Sequence, residues 1–415
     1  MAAPTLENFE MTAALADLSE WLIRQGLDNT PVDVWLNEFC ERANQAGIPL
    51  LRVNLSTRAH HPEIGAVVFR WNRDREAEQF VYSRRQAMSE DVPDEYVNSP
   101  LYYLLSQPIS EIRQRLDVSD PELNFPMFDE LRERGGTDYF AAKRYFLHSD
   151  HATAADPMSM EEGMNISLVT DAKGGFTRAQ LDGLRALLAP ISLTLKCGAN
   201  RKMAEDITAA YLGGDASRRV LSGDIIRGSS ETISAVIWNF DLRGFTSLTE
   251  TLGGKAVIDL LNDYFALTVD VVERFNGNVL KFMGDGMLAI FDLNQFPDAR
   301  AQAVEAACAL RDAFEKENVA REAAGLPVTG FTLALHAGDV LYGNIGGTNR
   351  LDFTVIGPAV NAAARILSMS DPVGQNIVVS SAVATPLLAQ RKDLVSLGAY
   401  RLRGVAERQE LFTLD

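Results

Sequence analysis

Cysteine, histidine and net positive charge are all scarce in this chain, and each scarcity narrows what the protein does. The three cysteines, Cys40, Cys197 and Cys308, are odd in number and widely scattered. They offer no disulfide framework and no metal-binding spacing, so a reduced, intracellular chain is expected. Acidic residues outnumber basic ones, 56 to 39, for a formal net charge of −17. That balance argues against nucleic-acid and anionic-membrane surfaces, which need a basic patch. Long apolar runs are missing too. The best, Leu181–Cys197, contains Asp182 and Arg185 and is too short to span a bilayer. The opening residues carry neither the basic head nor the apolar core of a signal peptide. No internal repeat and no low-complexity tract is present. A cytoplasmic protein of two or three domains is expected from 415 residues.

The five histidines do not assemble a metal or haem site in the sequence. His60 and His61 precede Pro62 in a polar turn and read as surface residues. His148 and His151 bracket Ser-Asp without a third ligand nearby. His336 ends an apolar run and invites a general-base role, but a structural histidine at a strand end is the commoner case.

The first half reads as helices around an antiparallel sheet. Residues 6–46 predict two helices broken at Gly26–Pro31, where Asp28-Asn-Thr-Pro31 offers turn residues. Leu50–Ser56 and Gly65–Trp71 read as strands, and Ser83–Pro100 as a polar connection. A helix is predicted at Phe125–Arg134, strands at Thr137–Leu147 and Asn165–Thr170, and a helix at 177–196. The outline is that of an α+β domain, similar to GAF-like sensors in element order but without a motif that names a ligand. Tyr102, Tyr103, Tyr139, Phe140, Tyr145 and Phe146 either line a pocket or pack a core. Residues 198–230 read as a helical connection with no sustained heptad repeat. The division expected is 1–197, 198–230 and 231–415.

The second half is organised around Asp241 and Asp285. Ile233–Phe240 is an apolar run that reads as a buried strand, and Asp241 ends it. Asp285 sits in Gly284-Asp285-Gly286 between two short apolar runs, a strong hairpin signal. Between them, Val257, Leu260, Leu261, Tyr264, Phe265, Val271, Val272 and Phe275 mark one helical face. A strand-end carboxylate is thereby brought near a hairpin-tip carboxylate. Two such groups are either ordinary turn aspartates or a magnesium site shared with substrate phosphates. Gly244-Phe245-Thr246 opens a short helix, and backbone N–H groups at such a start hold phosphate, which favours the second. Bound magnesium would also reconcile an acidic protein with a nucleotide.

Beyond the hairpin, Asp298–Ala323 predicts an amphipathic helix and Phe331–His336 a strand, with His336–Asn344 a turn and its return. Leu351–Ile356 predicts a strand, and Pro358 stands at a helix start. Asn361 and Arg365 then lie one turn apart on one face.

Phe240-Asp-Leu-Arg-Gly-Phe-Thr-Ser-Leu248, Lys281-Phe-Met-Gly-Asp-Gly286 and Asp352-Phe-Thr-Val-Ile-Gly-Pro-Ala-Val-Asn-Ala-Ala-Ala-Arg365 together resemble the class III nucleotidyl cyclases. The resemblance covers about residues 230–415. It implies an α+β, ferredoxin-like palm-type catalytic domain, expected as a ββαββα core, behind the GAF-like α+β domain. It implies that Asp241, Asp285 and the Leu242 carbonyl hold two Mg²⁺ (or Mn²⁺) per site. It matches Lys281 and Thr354 to the purine-reading positions, Asn361 to the ribose-orienting asparagine and Arg365 to the transition-state arginine. Arg403 stands where the family carries a phosphate-binding lysine. Threonine at 354, where many adenylate cyclases have aspartate, resembles the subgroup that includes bicarbonate-responsive enzymes.

The activity implied is conversion of ATP to cyclic AMP and pyrophosphate by a homodimer, with an unidentified small-molecule or protein regulator at the N-terminal domain. A guanylate cyclase and a silent nucleotide-binding module are the alternatives. Lys281 counts against guanine, whose N1 carries a proton and needs an acceptor. A P-loop is excluded because Gly253-Gly-Lys255 lacks the preceding spacing and a following Ser or Thr.

Overall fold

The computed structural model describes residues 6–58, 64–83, 94–118, 121–146, 162–348, 350–403 and 408–415. His60, His61, His148 and His151 lie outside them. The chain divides into two compact units, 1–207 and 208–415. Among the described residues no helix is long and apolar enough to cross a membrane.

The first unit begins with α1 (Leu6–Leu27) and α2 (Val32–Gln45). Asn29 turns between them at φ 52°. Then come β1 (Arg52–Arg58), β2 (Ile64–Asn72), β3 (Arg75–Ser83), α3 (Pro100–Ser106), β4 (Glu111–Arg115), α4 (Pro126–Glu133), β5 (Asp138–Tyr145), β6 (Gly163–Thr170) and α5 (Arg178–Leu212). The strands form one antiparallel sheet in the order β3-β2-β1-β6-β5-β4. Alternate side chains divide it into two faces. Val53, Leu55, Trp71, Phe140 and Ile166 pack with Trp35 and Phe39 of α2 and Leu184 and Ile191 of α5. Tyr139 and Val169 turn the other way, towards Leu104, Phe128 and Leu131.

The structure decides one open alternative, moves one helix end and adds one strand. The aromatic cluster does not line one pocket, because Tyr139 and Tyr103 belong to one face while Phe140 and Phe146 belong to the other. The helix expected to end at 196 continues to Leu212. Strand β3 was unforeseen: as an edge strand with no buried residue it carries no apolar alternation.

In the second unit, α6 (Gly214–Leu221) precedes β7 (Ser230–Arg243), α7 (Phe245–Thr251), α8 (Gly254–Arg274), the hairpin β8 (Asn278–Met283) and β9 (Gly286–Asp292), and α9 (Ala299–Ala323). Next come β10 (Gly330–Gly346), β11 (Leu351–Ile356), α10 (Pro358–Leu367), β12 (Ile377–Ser380), β13 (Leu394–Tyr400) and β14 (Gln409–Leu414). The sheet order is β13-β14-β12-β10-β7-β9-β8, with β11 paired to the second half of β10. Four strands at one end of that order run β10-β7-β9-β8, with helices after β7 and β9. The core is therefore βαββαβ, not the ββαββα expected. Trp238, Phe240, Phe291 and Phe331 meet Tyr264 of α8 and Phe314 of α9 on one face. Ile233, Ile237, Leu288, Tyr342 and Val355 meet Ala216 of α6 and Ala363 of α10 on the other. Both faces are covered, so β7 reads as a nearly continuous apolar run.

Strand β10 also overturns a reading. Ala337-Gly-Asp339 was expected to turn, yet it pairs straight through with β7, Gly338 opposite Ala235 and Asp339 opposite Ser234. Gly338 serves a close approach instead. A Cβ there would lie 2.9 Å from the Ala359 Cβ of α10.

Candidate active site

Asp241 lies two residues inside the end of β7, opposite Gly286 of β9 and Thr332 of β10. It belongs to the strand, which runs on to Arg243 before Gly244 turns the chain. The two-residue tip Gly284-Asp285 of the β8–β9 hairpin folds against it, with the Leu242 N–H donating to the Asp285 carbonyl at 3.1 Å. Gly284 takes φ 69°, a conformation glycine reaches without cost. At Gly286 the absence of a side chain is what admits the carboxylate. A Cβ would stand 2.9 Å from Asp241 Oδ1 and 3.0 Å from the Phe240 carbonyl oxygen.

Burial, and then the charge of Asp285, raises the Asp241 carboxyl to about 6. Two carboxylates held so close are an unfavourable arrangement without a cation, and a hard divalent ion reverses it. Among the described residues no cluster of three or more acidic, histidine or cysteine side chains forms. An open pair of hard oxygens suits Mg²⁺, which keeps water and substrate phosphate among its ligands. Gly244 follows at φ 69° and starts α7, with Phe245 half-buried against the main core and Thr246 exposed.

A second group sits on β8, β11 and α10. The Lys281 ammonium is ion-paired with the Asp352 carboxylate. Thr354, two residues along β11, is buried, and its hydroxyl has no hydrogen-bond partner. Asn361 and Arg365 stand one turn apart on α10, which begins at Pro358. Neither side chain makes a hydrogen bond or ion pair among the described residues, and the same holds for exposed Arg403. No hydrogen bond or ion pair among those residues joins this group to Asp241 or Asp285. His336 is unattached to either group. Its Nδ1 is 2.9 Å from the Ser380 hydroxyl, and burial lowers its basicity. Sequence reasoning gave no role to Asp352 or Gly286, although both lie inside the motifs it quoted.

Residues 229–415 match the family described as adenylate and guanylate cyclase catalytic domain. That stretch is an adenylate/guanylate cyclase catalytic domain. An adenylate cyclase of Anabaena cylindrica is 33% identical over 165 residues, 39% of this chain and 32% of the relative. Adenylate cyclase 1 of Rhizobium meliloti is 30% identical over 179 residues, 41% of this chain and 26% of the relative. The chain thus spans a third or less of these curated relatives. Among solved structures, the adenylyl cyclase CyaB from P. aeruginosa is 23% identical with a TM-score of 0.41, covering 45% of this chain and 96% of that one. Cyclases of this class use divalent metal ions, Mg²⁺ or Mn²⁺, in keeping with the open carboxylate pair of this cyclase domain.

Proposed function

We propose that the protein is an adenylate cyclase that converts ATP to 3′,5′-cyclic AMP and pyrophosphate. The observation that carries this reading is the Asp241–Asp285 pair, two carboxylates at one strand end with Asp241 raised by burial and by its neighbour. Two Mg²⁺ or Mn²⁺ ions held there by Asp241, Asp285 and the Leu242 carbonyl would make the ribose 3′-hydroxyl nucleophilic and neutralise the phosphates. The backbone of Gly244, Phe245 and Thr246 and the Arg403 guanidinium bind phosphate oxygens. Asn361 orients the ribose, and Arg365 stabilises charge on the α-phosphoryl group as the 3′-oxygen attacks in line and pyrophosphate leaves. Both side chains are free of other partners among the described residues, which suits groups that meet substrate. Lys281 donates to adenine N1 and Thr354 reads the purine from β11. The unpartnered buried hydroxyl of Thr354 supports that assignment, since such a group costs free energy until it is paired.

No hydrogen bond or ion pair joins the aspartates to the purine and arginine residues among the described residues of one chain. That supports a homodimer in which each site takes its aspartates from one protomer and its Lys281, Thr354, Asn361 and Arg365 from the partner. The six-stranded antiparallel sheet with helices on both faces supports a GAF-like regulatory role for the first unit.

Cyclic nucleotide formation by the full-length protein, with ATP or GTP and Mg²⁺ or Mn²⁺, tests the reading beside Asp285→Ala. Cyclic AMP formation lost in the variant is expected. Cyclic GMP as the main product favours the guanylate alternative, and product that persists in Asp285→Ala overturns the site.

A further inference from the structure

Tyr342 lies at the centre of a part-buried polar junction that the proposed chemistry leaves unused. Its side chain is almost wholly enclosed on β10, yet its hydroxyl is fully engaged. It donates to Asp215 Oδ2 of α6 at 2.9 Å and accepts from the Asn278 side-chain amide of β8 at 3.3 Å. Asp215 is in turn fixed by Arg219, whose Nε donates to the same oxygen at 2.9 Å. The Arg219 guanidinium also pairs with Glu231 of β7 at 2.6 Å and lies 5.0 Å from the centre of the Tyr342 ring. Glu231 and Tyr342 are directly opposite each other across β7 and β10. On its other side the Tyr342 ring meets Phe353 edge-on, with centroids 4.7 Å apart at 88°.

Two of these contacts, Asn278 on β8 and Phe353 on β11, lie on the strands that carry the proposed nucleotide-reading residues. Asn278 is three residues before Lys281 on β8. Phe353 stands between Asp352, which holds Lys281, and Thr354. The start of α6 is pressed against the same strand: at Gly213, φ 84°, a Cβ would fall 2.7 Å from the Val279 carbonyl oxygen. Burial and the Asp215 carboxylate both push the phenol's pKa up, so the hydroxyl stays protonated and its donation to Asp215 persists across the working pH range.

We propose that Tyr342 is a positioning residue for purine recognition. Its hydroxyl, anchored by Asp215 of α6, sets β8 and β11 relative to each other so that Lys281 and Thr354 address one base. The inference rests on the cyclase reading and names no contact between Tyr342 and substrate.

The test is steady-state kinetics of the full-length protein and its Tyr342→Phe variant with ATP and with GTP. Removing one oxygen keeps the ring contacts with Phe353 and Arg219. The expected result is a KM for ATP about three- to tenfold higher, the size of one lost hydrogen bond, with kcat within about twofold. The preference for ATP over GTP in kcat/KM falls by a similar factor. Asp215→Ala reproduces the effect, and Asp215→Asn, which keeps an acceptor oxygen, restores most of the wild-type KM. An unchanged KM and nucleotide preference in Tyr342→Phe overturns the proposal. So does a loss confined to kcat with a lowered Tm, which marks a purely structural role. A wild type that forms no cyclic product overturns the cyclase reading instead. The positioning role is then decided by binding of a fluorescent ATP analogue, where equal Kd for wild type and Tyr342→Phe overturns it.

Discussion

Lys281 reaches from β8 to pair with Asp352 on β11, two residues before Thr354. The pair bridges the two strands whose separation would set the width of the proposed purine site. Asp352 is half exposed and Lys281 is about a quarter exposed, so the pair adds little to stability. Its value is directional, since it aims an ammonium on a flexible four-carbon stem. Asp352→Asn is expected to leave Tm within about 2–4 °C of wild type. It should lower the kcat/KM preference for ATP over GTP. An unaltered preference, measured with both nucleotides at subsaturating concentration, removes Asp352 from recognition.

Asp241 gives the protein a defined pH response. Its carboxyl is raised to about 6 in the folded chain, above the ordinary 3.8. A raised acid contributes stability that is complete below the unfolded value and is lost as pH climbs through the folded one. The ionised form thus weighs on the fold from about pH 6 upward. Asp241→Asn is expected to be inactive yet more stable than wild type at pH 8. After allowing for solvent screening at a half-buried site, the gain is about 1 kcal/mol, or a Tm about 2–4 °C higher. Below pH 4 the two proteins should melt alike. In the wild type, Mg²⁺ should raise Tm at pH 8 and lose that effect below pH 6, as the carboxyl takes up its proton. Thermal melts at several pH values check both signs.

Gly286 tests whether the carboxylate geometry matters beyond its charge. In Gly286→Ala the added methyl would meet Asp241 Oδ1 at 2.9 Å and the Phe240 carbonyl oxygen at 3.0 Å. The first is the end of a short, packed side chain and the second is backbone, so the carboxylate or the hairpin must move. A stability cost of ~1–3 kcal/mol is expected from such overpacking. The fall in kcat should be larger, at least about a hundredfold, because a displacement on the order of 1 Å in a reacting site costs that much. Activity within about threefold of wild type would show that the pair tolerates displacement.

The residues of the proposed site stand out in the sequence because their local patterns are rare. An aspartate closing a long apolar run, a Gly-Asp-Gly tip and an Asn–Arg pair one turn apart are each visible without coordinates. What escaped notice depended on tertiary contact. Gly338 sits in a sequence that predicts a turn, but α10 packs onto it and the strand runs straight. The hidden edge strand β3 has neither buried side chains nor apolar alternation to announce it. The last three strands of the sheet, β12 to β14, are short or irregular, and a register shift at Ser396 interrupts β13. Asp352 and Tyr342 look ordinary in sequence, and only pairing across strands gives them partners.

The proposed assembly of each site from two chains has a quantitative consequence. If the aspartates of each site come from one protomer and Arg365 from the other, Asp285→Ala and Arg365→Ala must complement each other. Each variant alone lacks one required group at both of its sites and is expected to be inactive. In a heterodimer, one site carries both lesions and the other carries neither. An equal mixture that exchanges subunits freely forms heterodimers in half of its dimers, so about a quarter of wild-type activity should return, as two-fold symmetry requires. Co-expression followed by assay of cyclic AMP reads this directly. Complete silence of the mixture, with heterodimers verified by differential tagging, would instead place all the groups of a site in a single chain. Arg365 would then have to reach Asp241 and Asp285 within one protomer, although no ion pair joins them among the described residues.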